Sequence, residues 1–321
     1  MRIVNYWRRG ERRLGVVDGE DVVDVAEALG RRGASARARA ILADTVAFIA
    51  SGAAGPTMAR AAVRASRSSG RGRRRLARVK LAAPMQPTAI LCSGANYWEH
   101  RDEVPKRILK EPEFFVKVPQ GVIGPHDDIR LDRALTKKLD YETELVIVIG
   151  RPGRRIAKSK ALAHVFGYAV MNDLTLRDRQ VNLKPDGSVS YDYGPGKNFD
   201  TCAPLGPCIV TVDEIKSPHR LKLRTLVNRE VRQNNTTAHM LWRVADLVRF
   251  FSLFLTLRPG MIISTGTPGG TAFGTDKKLG GRFYKPIAGK PPLTYLRPGD
   301  VLTSEIQSIG QLRNRVVLDN G

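Results

Sequence analysis

LDYETELVIVIG, residues 139–150, is the stretch on which the fold turns. Its run of Leu, Val and Ile, dense in β-branched side chains and closed by Gly150, predicts a buried strand. The same strand carries Glu142 and Glu144, which share a face and sit about 7 Å apart along the backbone. Side by side on a hydrophobic strand, two carboxylates repel each other and lose hydration. Such a pair is tolerated by protonation, by a neighbouring arginine or by a cation. A third acid, Asp173, lies in GYAVMNDLTLRDRQ, at the end of another predicted strand. Three carboxylates from two segments make a hard oxygen site suited to Mg²⁺ or Mn²⁺, whereas zinc would want His or Cys. On these residues alone the other reading also stands: solvent-facing glutamates on an amphipathic strand, with Asp173 as a turn or cap residue.

Around this stretch, short apolar runs such as AILCSGANY, EFFVKVP, VFGYAVMND, GPCIVTVDEI, GMIISTGTPGG and DVLTSEIQSIG alternate with Gly, Pro, Asn and Asp. That spacing predicts a strand-rich region with few helices. Two helices are expected within it, SKALAHVF (159–166) and TAHMLWRVADLVRFFSLFLTL (237–257). Upstream, RIVNYW and RLGVVDGEDVVDV read as strands with a hairpin signal at Asp18-Gly19, followed by Ala-rich helical sequence. GRGRRR (70–75) combines glycine with a like-charge run and marks the expected boundary. The Gly, Lys and Pro-rich segment 274–293 is expected to be a loop.

With 321 residues and 42% hydrophobic content, the chain can bury a proper core. No stretch approaches the roughly 18 apolar residues of a membrane span, and MRIVNYWRRGERRLG carries charges where a signal peptide needs its apolar segment. A cytoplasmic protein is expected. Cys92, Cys202 and Cys208 form no CxxC pair, so they suggest neither a disulfide framework nor a zinc site and are read as buried thiols. The net charge of +22 is concentrated in sequence such as 60–80, which lacks the aromatic interleaving of a nucleic-acid surface. A solvated basic surface is expected there, binding nucleic acid only non-specifically.

Taken in order, the motifs resemble the fumarylacetoacetate hydrolase family. CSGANYWEHRDEV, FVKVPQGVIGP, DYETELVIVIG, GYAVMNDLTLRDRQ, GKNFDTCAPLGPCIVTVDEI, STGTPGG and PGDVLTSEIQSIGQLRN follow the family's sequence of motifs from about residue 84 to 316. The resemblance implies an α+β, predominantly β fold: a mixed β-sheet roll, residues 84–321, behind a small N-terminal domain with basic linker, residues 1–83, paired as a homodimer. It makes Glu142, Glu144 and Asp173 ligands of Mg²⁺ or Mn²⁺. His100 and Glu103 match the family's catalytic pair; three residues apart, they share a face of one helical turn, so Glu103 could accept the imidazole N–H. Lys117 matches a catalytic lysine. Lys197, Arg177, Gln180 and Thr267 match substrate-binding positions, although Arg177 and Gln180 could equally brace their helix.

Family chemistry implies a divalent-metal-dependent hydrolase that cleaves a C–C bond in acylpyruvate-like 2,4-dioxo acids. His100 would deprotonate the attacking water and a lysine would stabilise the oxyanion. The alternative is an isomerase, decarboxylase or hydratase acting on a 2-oxo acid in the same site, since all of these pass through an enolate. A non-catalytic binder of anionic partners is disfavoured, because His100, Glu103, Lys117 and all three carboxylates occur together. The chain departs from the family pattern at Cys202-Ala203, at Arg229 where glycine is usual, and in the 274–293 insertion.

Overall fold

The computed structural model describes residues 1–186, 188–281 and 293–319 apart from 104–109, with the side chains of 101–103 also outside the description. Thr143–Ile149 is buried along its whole length because it is a central strand. It pairs antiparallel with Val165–Asn172 on one side and Met261–Ser264 on the other. Its side chains alternate between two cores. Leu145, Ile147 and Ile149 join Leu223, Phe251 and Ile306 in one, while Val146 and Val148 join Ile3, Phe48 and Ile209 in the other. A strand covered on both faces must be apolar on both, which is why its sequence is continuous rather than alternating.

Beyond Met261–Ser264 the sheet continues parallel to Ala89–Cys92 and then antiparallel to Phe115–Lys117. In the opposite direction Val165–Asn172 pairs with Ala203–Thr211, which pairs with Arg2–Arg8. The sheet then runs out through Glu11–Asp18 and Asp21–Asp24 to Arg73–Arg75. A second, five-stranded sheet holds Glu230–Thr236, Lys222–Val227, Val301–Ile306, Gly310–Leu318 and Ile129–Leu131. The fold is α+β and predominantly β, built on mixed sheets.

The first two strands and the hairpin at Asp18-Gly19 form as their sequence predicts, and helices occupy Val25–Leu29, Ala36–Ile41, Thr45–Ala50 and Ala54–Ser69. The basic run at 70–75 ends in an edge strand, Arg73–Arg75, in which Arg73 pairs with Asp18 and Asp21, Arg74 with Glu27 and Arg75 with Glu20. Two helix expectations need correction. The helix expected at 237–257 is confined to Val244–Phe254. Upstream of it the backbone N–H groups of Leu241 and Trp242 are taken by the carbonyl and side chain of Asn96, so they cannot continue a helix. SKALAHVF forms a tight 3₁₀ segment, Lys158–His164, that leads directly into a strand. Arg229 sits in the two-residue turn of the hairpin between Lys222–Val227 and Glu230–Thr236, with φ of 51° at Asn228 and 72° at Arg229. That is the backbone in which glycine is favoured.

The three cysteines are buried and free. Among the described residues no helix is long and apolar enough to cross a membrane. Residues 282–292 of the insertion lie outside the described residues.

Candidate metal centre

Glu142 lies between the short Leu139–Asp140 strand and Thr143–Ile149, rather than inside one continuous strand. Two backbone ties set its place: its N–H donates to Asn172 Oδ1 at 3.0 Å, and its carbonyl accepts the Asp173 N–H at 2.8 Å. Asp173 therefore faces Glu142 directly after its own strand ends at Asn172. Glu142, Glu144 and Asp173 are all buried, and a carboxylate oxygen from each lies within 4.8 Å of the others.

Cationic side chains reach two of the three acids. Lys197 Nζ lies 2.6 Å from Glu142 Oε2 and 2.7 Å from Asp173 Oδ2. Lys117 Nζ lies 2.8 Å from Asp173 Oδ1 and donates to the carbonyls of Leu174 and Lys197. Arg177 pairs with Glu142 through Nη2 and with Asp140 through Nε at 2.8 Å. Glu144 instead accepts the Ser264 hydroxyl at 2.5 Å and the Gly266 N–H at 2.9 Å, and no cationic side chain among the described residues pairs with it.

The two glutamates consequently ionise differently. Burial pushes the Glu142 carboxyl up, but Lys197, Arg177 and His100 together outweigh it and hold it at about 2. Burial also pushes Glu144 up, and the negative charges of Asp173 and Glu142 push it further, well above the ordinary glutamate range. Desolvation works against the charge on Lys117 and Lys197, yet the carboxylates around them raise both and keep them ammonium ions. A buried carboxyl that lacks a cation while two acids crowd it is the uncompensated member of a hard oxygen set. The residues fit a divalent cation of the Mg²⁺ or Mn²⁺ kind.

The family model described as Fumarylacetoacetate (FAA) hydrolase C-terminal matches residues 89–317. The chain belongs to the fumarylacetoacetate hydrolase family. It is 37% identical over 237 residues to the mitochondrial oxaloacetate tautomerase FAHD2A of Bos taurus, covering 74% of this chain and 69% of the relative. It is also 37% identical over 245 residues to oxaloacetate tautomerase YisK of Bacillus subtilis (strain 168), covering 75% and 74%. Among solved structures it is similar to maleylpyruvate hydrolase from Sphingobium sp. SYK-6 in complex with manganese (II) ion and pyruvate, with a TM-score of 0.73 and 26% identity over all of both chains. The family is thus one of enzymes, and tautomerases and hydrolases both stand among these relatives.

The remaining positions that match family motifs gather unevenly around the triad. His100 is buried in the short helix Trp98–Glu103 and adds to the positive field on Glu142. Glu103 ends that helix, and its side chain lies outside the described residues. Gln180 is buried and accepts from Arg177 Nη1 at 2.9 Å. The Thr267 hydroxyl donates to the Thr143 carbonyl at 3.0 Å and accepts from Gln233 Nε2 at 2.8 Å, so it braces the loop against the strand. Sequence reasoning missed Asp140, which is fully buried, and the two donors that serve Glu144, Ser264 and Gly266. A signal for Asp140 is present in the chain: Asp140, Glu142 and Glu144 alternate with period two within residues 139–150.

Proposed function

We propose that the protein is a divalent-cation-dependent enzyme that shifts a proton and a double bond in a small dicarboxylic 2-oxo acid of the oxaloacetate type. The observation that carries this reading is the meeting of three buried carboxylates with two buried, charged lysines, whose ammonium nitrogens lie 2.6–2.8 Å from Glu142 and Asp173. The two tautomerases at 37% identity support the reaction class. Glu142, Glu144 and Asp173 would hold Mg²⁺ or Mn²⁺, which when bound supplies Lewis-acid polarisation of a 2-oxo acid. Lys117 and Lys197 put fixed positive charge beside that place, where they hold the substrate carboxylate and the oxygen on which negative charge grows. His100 carries the proton between carbon and oxygen, and Glu103, the family's partner position three residues on, has its side chain outside the described residues. Arg177 and Gln180 shape the pocket beside Glu142, and Thr267 holds the loop that borders it. A cytoplasmic homodimer belongs to the same reading.

A second reading is hydrolysis of the C–C bond in acylpyruvate-like 2,4-dioxo acids, supported by the similarity to the manganese- and pyruvate-bound maleylpyruvate hydrolase. In that case His100 takes a proton from water as it attacks the carbonyl remote from the carboxylate, and a lysine holds the oxyanion. The C–C bond then breaks, its electron pair leaves with the 2-oxo acid fragment as an enolate, and protonation of that carbon completes the cleavage.

The test uses full-length protein stripped by chelator and reloaded with Mn²⁺ or Mg²⁺. It compares loss of the enol absorbance of oxaloacetate with cleavage of a panel of acylpyruvates, beside His100→Ala. Accelerated keto–enol conversion that disappears in the variant is the expected result. Release of pyruvate and a carboxylic acid without such conversion would replace the first reading by the second, and activity on neither substrate class would remove both.

A further inference from the structure

Asp140 is fully buried and saturated. Its Oδ1 accepts the N–H groups of Tyr141 and Ala272, both at 2.9 Å, and its Oδ2 accepts Arg177 Nε at 2.8 Å and the Phe273 N–H at 3.0 Å. Arg177 in turn spends its three nitrogens on three different acceptors: Nε on Asp140, Nη1 on Gln180 and Nη2 on Glu142. Its guanidinium also lies over the Phe273 ring, 5.1 Å from the centroid. One carboxylate therefore holds both the arginine and the backbone of the aromatic residue against which that arginine packs.

We infer that Asp140 is a positioning residue that divides the charge of Arg177 and so leaves Glu142 able to serve a cation. The inference deepens the proposed function and rests on the triad being a cation site. A guanidinium is planar, so fixing Nε fixes the directions of Nη1 and Nη2. With Asp140 in place, Arg177 reaches Glu142 through one nitrogen only. Without that charge, Glu142 becomes the only carboxylate among the described residues left to Arg177, which then competes with the incoming cation for it. The neutral amide of asparagine cannot replace Asp140, because half of its polar end is a donor facing the donors already there. Interactions of this kind around metal ligands alter metal affinity by roughly 10–100-fold.

The experiment is Mn²⁺ titration calorimetry on chelator-stripped full-length protein in a four-member cycle: unmodified chain, Asp140→Asn, Arg177→Gln and the double variant. Asp140→Asn is expected to weaken Mn²⁺ binding about tenfold in the unmodified chain and by less than about twofold in the Arg177→Gln background. An equal loss in both backgrounds would mean that Asp140 acts by its own charge or by general support of the fold, and would overturn the inference. So would the absence of a loss in the unmodified chain. Should Asp140→Asn fail to fold, Asp140→Glu keeps the charge but displaces it by one methylene, and the same dependence on Arg177 is required of it. The cycle reads binding alone, so a failure to turn over either substrate class would remove the proposed reaction without deciding the role of Asp140.

Discussion

Asp24 and Glu144 are both buried carboxylates at strand ends or edges, and they end in opposite electrostatic states. Asp24 accepts two hydrogen bonds from the Arg13 guanidinium at 3.0 and 3.2 Å, one from the Tyr6 hydroxyl at 2.9 Å, and one from the Glu27 N–H that it caps at 2.9 Å. Burial pushes its carboxyl up, but Arg13, the Glu27 N–H and Tyr6 outweigh burial and bring it below the ordinary aspartate value. Among the described residues Glu144 accepts from only a hydroxyl and one N–H, with two other acids beside it, and is driven up by burial and by those acids. Burial is common to both; what separates them is whether the fold supplies the countercharge. The network around Asp24 is closed and serves stability, while that around Glu144 is one positive charge short and so is open to a cation.

The comparison breaks most sharply on cation binding. Glu144→Gln keeps the shape and removes the ligand charge, so Mn²⁺ affinity should fall at least about 100-fold by titration calorimetry, beyond the range of an outer-shell change. Burial and the neighbouring acids disfavour the charged form of Glu144 when no cation is bound, so the metal-free melting temperature of this variant should stay level or rise. A clear drop would show that Glu144 is a closed, structural acid like Asp24.

The converse substitution, Asp24→Asn, should cost about 2 kcal/mol in urea unfolding through the lost helix cap and charge-assisted bonds. It should leave Mn²⁺ affinity unchanged. Loss of cation binding in this variant would mean that the two networks are not independent.

The pH dependence of metal-free protein should separate the two acids by sign. Asp24 has a folded value below its ordinary 3.8, so its contribution is present above 3.8 and is lost as pH falls through the lower folded value. Glu144 has a folded value above its ordinary 4.5, so its contribution is intact below 4.5 and is lost as pH rises toward the folded value. In that upper window the stability of the unmodified chain relative to Glu144→Gln should fall by up to about 1.4 kcal/mol per pH unit. Saturating Mn²⁺ should abolish this slope, and a slope that survives it would sink the assignment.

The smallest effect lies outside both networks. Arg229→Gly relieves a left-handed backbone at φ 72° in the hairpin turn and should raise stability by about 0.5–1 kcal/mol. Unchanged Mn²⁺ affinity is expected alongside it, which makes the variant a control for indirect effects of stability.

Some of this was legible in the chain because it depends on local pattern. The unbroken apolar run after Glu144 announced a strand covered on both faces, and Asp18-Gly19 announced a hairpin. The acid pair on that strand already posed the question of compensation. The helix over 237–257 was overread because its first residues are apolar at helical spacing, while the competing acceptors sit on Asn96, about 145 positions earlier in the chain. Asp140 shares the period-two alternation of Glu142 and Glu144, but most of the partners that saturate it lie far away in the chain. Its four donors come from three separate segments.

The sequence by itself determined the family and the strand-rich architecture and singled out three candidate acids, since motif order and side-chain periodicity are properties of the chain. Only the tertiary structure decided which acid is paired and which is left short of charge. Lys117, Lys197 and Arg177 look like any other members of a strongly basic chain until folding carries them, from segments up to eighty residues apart, to within hydrogen-bond distance of Glu142 and Asp173 but not of Glu144. Ionisation in a buried site depends on distance and desolvation, and neither exists before the chain has folded.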